Sequence, residues 1–291
     1  MAKKIWYSEP LAYIWDCYNE ACKTHPMSPK EYIYTTLNNE MNSFSSSKEE
    51  VQNRIYVDEM FFADSNRELL HLYFVDNNLR DFLIDLPIND FKGLTDYIIE
   101  HGIKSKAGII TNIGGNYDTD EEVSNFFFGI HIPYDNRMRG YAFRFCYNSK
   151  DKNLLFNWVT ETYSGNFNMS QYESMINDKS GEYDFTLSMF RLAVNTIAYM
   201  SVFPDCVVDG VPDEVKGDYY KTVRIAEKVL ENITSDLPKK TRPHFRRGYF
   251  KRLTSDFYTK KKGQIIFVNQ TMVNGTAKTV YTAENLEEFE K

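Results

Sequence analysis

Hydrophobic positions change period near the middle of the chain. In the first third they recur at helical spacing. Leu11, Ile14, Trp15 and Tyr18 predict a helix over residues 8–24, ended by His25-Pro26. Ser28-Pro29-Lys30-Glu31 carries the Ser-x-x-Glu pattern of a capping box and opens a second helix, expected to run to about Asn42. A third helix is expected over 48–63. In 67–85, Leu69, Leu70, Leu72, Tyr73, Phe82 and Leu83 flank an acidic, Asn-containing middle, which reads as helix, turn and short helix. Asn89 or Asp90 caps a helix from Phe91 to His101, and Gly102 stops it.

The period then drops to two. Gly108–Ile113 reads as a short strand before the turn Gly114-Gly115-Asn116. Phe126, Phe128, Ile130 and Ile132 alternate within 125–133. Tyr141, Phe143, Phe145 and Tyr147 alternate within 140–147, and Leu154, Phe156 and Trp158 within 154–162. These segments predict an antiparallel meander. A short helix is expected at 170–177. Residues 184–202 are apolar nearly all round, as a buried helix would be, and Pro204 breaks it. Residues 218–234 read as an amphipathic helix. A strand over 264–269, a turn at Val273-Asn274-Gly275-Thr276 and a returning strand at 279–282 close the pattern before an acidic tail, 284–291. The expected class is α+β: N-terminal helices, a central antiparallel sheet packed on a buried helix, and a small basic C-terminal β module. The division is 1–238 for the body and 239–291 for the module, packed on it.

Charge adds a feature that folding does not need. Residues 239–263 hold ten Lys or Arg and one Asp, a local +9; the chain as a whole carries −7, which leaves −16 for the rest. Phe245, Tyr249, Phe250, Phe257 and Tyr258 are interleaved with those cations. Cations for phosphates and flat rings for bases make a nucleic-acid surface. A solvated face, or an intramolecular partner for the acidic body, has the same composition. Aromatic content is high, with 21 Tyr and 21 Phe. Cys17, Cys22, Cys146 and Cys206 form no CxxC pair, so free, mostly buried thiols of an intracellular protein are expected rather than a disulfide framework. No apolar run reaches membrane-spanning length, and the N-terminal residues have no apolar leader segment.

The candidate chemistry lies in the basic stretch. Arg242, Arg246, Arg247, Lys251, Arg252, Lys260, Lys261 and Lys262 are the candidate phosphate contacts. His244 is the only His there and is the candidate base on a ribose hydroxyl, with Tyr249 as the candidate acid; a His that only caps or fills a gap reads the same. Gly248 permits close backbone approach or a positive φ. Phe245 and Phe250 are candidate stacking rings. So are Tyr141 and Phe143, because Arg139-Gly-Tyr-Ala-Phe matches the first five positions of an RNA-recognition strand motif. Arg144 and Cys146 depart from that motif, and an ordinary aromatic strand facing the core reads the same residues equally well. Glycines at 108–115 make neither phosphate-loop pattern. The five His are scattered, and Asp118, Asp120, Glu121 and Glu122 read as a solvated loop, so no metal and no cofactor are expected.

Pro243-His-Phe-Arg-Arg-Gly-Tyr-Phe-Lys-Arg, a Lys-rich gap, Ile265-Ile-Phe-Val-Asn269 and Val273-Asn-Gly275 together resemble a module of phage and plasmid proteins. That family includes anti-CRISPR proteins that repress production of a type V CRISPR nuclease. Tyr249 stands where the family's pattern has a second His, and Asn269 or Gln270 where it has Pro. The resemblance covers about 35 of the 291 residues. It implies a regulator in the cytoplasm of a host bacterial cell. Its partners would be RNA or a ribosome-associated nascent protein, such as a CRISPR nuclease or its message, with no membrane involved. Two other readings stand beside this one: a metal-independent ribonuclease, and a non-enzymatic inhibitor that binds protein through the acidic body.

Overall fold

The computed structural model describes residues 6–7, 12–28, 31–32, 35, 71–101, 123–134, 137–148, 152–160, 164–210, 220–234, 244–246, 248–269 and 271–273. The helix expected at 48–63, the strands at 108–113 and 279–282, and the tail 284–291 lie outside them.

In chain order, β1 (Trp6–Tyr7) precedes α1 (Ala12–Thr24). The capping box is present: Glu31 N–H donates to the Ser28 hydroxyl, and Ser28 N–H donates to the Glu31 carboxylate at 2.7 Å. Next come β2 (His71–Val75), α2 (Asn77–Asp85) and α3 (Phe91–His101). The first corrects the expectation of helix, turn and short helix over 67–85, whose opening helix is in part a strand. Tyr73 and Val75 are buried on one side of that strand and Phe74 on the other, so a residue run apolar on both faces is used as an interior strand. Asp90 caps α3 as expected, accepting from Gly93 N–H at 3.1 Å.

The meander follows: β3 (Val123–Tyr134), β4 (Arg137–Asn148), β5 (Asn153–Thr160) and β6 (Ser164–Asn168), each antiparallel to the next. Then come α4 (Tyr172–Asn177), α5 (Asp184–Val202), β7 (Val207–Asp209), β8 (Tyr220–Val223) and α6 (Glu227–Thr234). The single helix expected over 218–234 is therefore a strand and a shorter helix. Tyr-Lys-Thr-Val has the aromatic and β-branched character that suits the strand. The sheet runs β6-β5-β4-β3-β2-β8-β7, with β1 beside β4. It is mixed rather than wholly antiparallel, because β2 pairs in parallel with both β3 and β8. The class is α+β.

Alternation decides which face is covered. Tyr141, Phe143 and Phe145 of β4, Leu154, Phe156 and Trp158 of β5, and Phe167 of β6 join α5 in one buried cluster. On the other face β4 and β5 set Arg144 opposite Asn157. Cys17 is exposed and Cys22 and Cys206 are half-buried, so the expected burial of these thiols does not hold.

Two polar side chains lock α5 to its neighbours. Asn195, with no exposed surface, donates from Nδ2 to the carbonyls of Leu83 at 2.8 Å and Leu86 at 3.1 Å, satisfying acceptors at the end of α2. The Tyr199 hydroxyl donates to Arg224 C=O at 2.7 Å and accepts from Ala226 N–H at 2.6 Å, tying the start of α6 to the core. Replacing Asn195 by Ala strands two buried carbonyls. Chemical denaturation should show a loss of about 2–3 kcal/mol, with the m-value unchanged.

Candidate nucleic-acid interface

The basic stretch folds as one arm of a hairpin. β9 (His244–Arg246) pairs with β12 (Thr271–Val273), and β10 (Tyr249–Arg252) with β11 (Ile265–Val268), both antiparallel. Both ladders hold the same register, so the first continues the second with no offset. β11 pairs backward onto β10, a partner the sequence reading did not anticipate; the returning strand expected at 279–282 lies outside the described residues. The reason is again alternation: Phe250 and Ile265 are buried and Phe267 packs against the same cluster, while Tyr249, Lys251 and Ile266 take the other side. Gly248 matters by close approach. A Cβ there would stand 2.6 Å from the Phe267 ring and 3.0 Å from the Val268 carbonyl oxygen.

Arg252 fastens this arm to α3. Its backbone N–H donates to Asp90 Oδ2 at 3.2 Å. Its guanidinium donates to Gly263 C=O at 3.2 Å and forks onto Glu100 at 3.3 and 2.5 Å. The same group lies 6.0 Å from the centre of the Tyr97 ring. Asp90 can reach both Gly93 and Arg252 because Gly93 has no side chain; a Cβ there would lie 2.4 Å from Asp90 Oδ2. Arg252 is thus engaged in holding the fold rather than free for phosphate.

Beyond Arg252 the chain enters a loop closed at its neck. Leu253 N–H donates to Gln264 C=O at 2.9 Å, and Gly263 N–H to Leu253 C=O at 2.7 Å. Gly263 takes a φ of +90°, a conformation that favours glycine. Inside the neck, Tyr258 N–H donates to Ser255 C=O, Lys261 N–H to Tyr258 C=O and Gln264 N–H to Lys261 C=O, a chain of turns within 3.1 Å. The Ser255 hydroxyl accepts from Phe257 N–H. This ordered loop presents Phe257, 78% exposed and edge-on to Tyr258, with Lys260, Lys261 and Lys262 after it. Lys262 donates to Asp256 at the surface.

The sequence-derived candidates therefore divide. Lys260, Lys261 and Lys262 come together at the tip, and Lys251 and Tyr249 are half-buried on the arm. His244, Phe245 and Arg246 form β9, on a ladder separate from Tyr249. Arg242 and Arg247 lie outside the described residues. Tyr141, Phe143 and Phe250 cannot stack bases: Phe143 and Phe250 have no exposed surface and Tyr141 only 8%, because their rings build the core. Among the described side chains of the basic stretch, the ring most open to water is Phe257. Its signal was its setting, Ser-Asp-Phe-Tyr-Thr before three lysines, where no alternation buries it. Among the described residues no group of three His, Cys, Asp or Glu could hold a metal, and no helix is long and apolar enough to cross a membrane. The chain matches no family model, no curated protein and no solved structure.

The clamp has a pH signature. The hydrogen bond from Arg252 holds the Glu100 carboxyl below its ordinary 4.5, against the opposing effect of burial and with help from the charges of Arg252 and His101. A depressed carboxylate contributes stability above its unfolded pKa and loses it as pH falls through the folded value. Glu100 is half exposed, so the amount should stay below about 1 kcal/mol. Melts of wild type and Glu100→Gln should differ at pH 6–7 and converge below about pH 4.

Proposed function

We propose that this chain is a regulatory protein of the mobile-element kind that contacts single-stranded RNA with the tip of its β10–β11 hairpin. The observation that carries this reading is Phe257, open to water on an internally hydrogen-bonded loop beside Lys260, Lys261 and Lys262. A free ring face stacks a base regardless of sequence, and neighbouring ammonium groups take the flanking phosphates. Order in the loop before binding reduces the entropy lost on contact. The Lys262–Asp256 pair does not oppose this, since an exposed ion pair is weak and a phosphate can replace the carboxylate. The acidic body repels RNA, so contact is directed to the basic end.

The likeness of the C-terminal segment to anti-CRISPR repressors gives the regulatory context. In this reading the RNA is a message under translation, and the acidic, aromatic-rich body meets the nascent protein beside it.

Labelled single-stranded RNA, titrated over a salt series, tests the proposal. Wild type should lose affinity linearly in log salt. Lys260→Gln/Lys261→Gln/Lys262→Gln should flatten that slope by about 2, at roughly 0.7 per phosphate. Phe257→Ala should weaken binding about tenfold or more with the slope unchanged, as expected for one lost stacking contact. Wild-type affinity in both variants would reject the tip as the RNA site. RNA cleavage that disappears in His244→Ala would mark the chain as a ribonuclease instead.

A further inference from the structure

Among the described residues five large hydrophobic side chains are exposed: Ile176, Tyr183, Phe185, Leu230 and Phe257. Four of them fall on two surfaces of opposite charge. One is the hairpin tip. The other is the corner between α4 and α5, where residues 176–185 are all exposed. Tyr183 is 36% exposed, Ile176 48% and Phe185 50%. Asp178, Glu182 and Asp184 stand there against a single Lys179, with exposed Glu173 just before.

This corner is ordered. Asp178 N–H donates to Met175 C=O at 3.3 Å, and Glu182 N–H to the Ser180 hydroxyl at 3.1 Å. The Ser180 hydroxyl donates to the Asp178 carboxylate, and Leu187 N–H to Tyr183 C=O at 2.8 Å. The Phe185 ring stands edge-on to Trp158 at 5.2 Å and leaves its other side to solvent. Among the described residues both surfaces are open, since their rings keep these exposures. Each offers what the other lacks: aromatic side chains with lysines on the tip, aromatic side chains with carboxylates at the corner.

We propose that the acidic corner of one copy receives the hairpin tip of a second copy. Phe257 would lie against Phe185 and Tyr183, with Lys260 and Lys261 facing Asp178 and Glu182. The contact joins different surfaces on the two copies, so it is head to tail and adds copies in a row rather than closing a symmetric pair. It is held by exposed charges and a few rings, so it is weak and salt-sensitive. It stands on the exposure of the two surfaces and not on RNA binding. RNA and the acidic corner would compete for the same lysines.

The test is sedimentation velocity on the full chain without nucleic acid. Wild type should form species larger than a monomer as concentration rises in about 20 mM salt, and should return to monomer in about 500 mM salt. Lys260→Glu/Lys261→Glu and Asp178→Lys/Glu182→Lys should each remain monomeric alone while keeping the wild-type circular dichroism spectrum. Mixed one to one they should associate again, because the intact corner of the first meets the intact tip of the second. Phe185→Ser, which leaves charge alone, should weaken the association seen at low salt. A monomeric wild type at low salt, association by either charge variant alone, or no association in the mixture overturns the proposal. RNA binding is measured on Asp178→Lys/Glu182→Lys in parallel; its retention with association lost separates the two uses of the tip.

Discussion

Phe190 has no exposed surface and meets five other rings, each from a different element. Phe145 of β4, Phe156 of β5 and Phe167 of β6 approach it from the sheet at centroid distances of 6.3, 5.2 and 5.2 Å. Tyr172 of α4 and Phe91 of α3 approach it from the helices at 5.4 and 6.3 Å. Removing such a ring costs about 3–5 kcal/mol, against a net stability of about 5–15 for a typical domain. The meander, α4 and α3 are positioned by this one cluster. Because α3 also carries Asp90, Tyr97 and Glu100, the cluster indirectly sets where the C-terminal hairpin docks.

That hairpin divides the labour of a single basic stretch. Its inward side gives up residues to folding: Phe250 and Ile265 to the core, Arg252 to α3. Its tip carries Lys260 and Lys262 exposed, on a loop whose turns are already made. Charge density in the sequence therefore overstates the exposed basic surface, since a cation such as Arg252, only 11% exposed at its side chain, belongs to the scaffold.

The meander, α5 and α3 were legible because strict alternation, an all-round apolar helix and a capping Asp are local signals. His71–Val75 and Tyr220–Val223 were not. Each is a short segment flanking a real helix, and periodicity cannot separate a strand from a helical turn over four or five residues. What makes them strands is that they pair with each other across β2 and β8, a contact between residues about 150 apart in the chain. The tip was half legible: its lysines stand out in composition, whereas the choice of Phe257 over Phe250 as the exposed ring follows from a register that only the folded hairpin defines.

The closed neck separates two evolutionary regimes. An insertion of one residue within β10 would exchange Phe250 and Lys251 between core and solvent and misplace every side chain beyond it. An insertion between Thr254 and Lys262 leaves the pairing of Leu253 with Gln264 untouched and costs only about 0.6 kcal/mol for each doubling of loop length. The arm is therefore held to its present length, while the fold tolerates a longer or shorter tip. It is the segment where a foreign peptide can be grafted without disturbing the core.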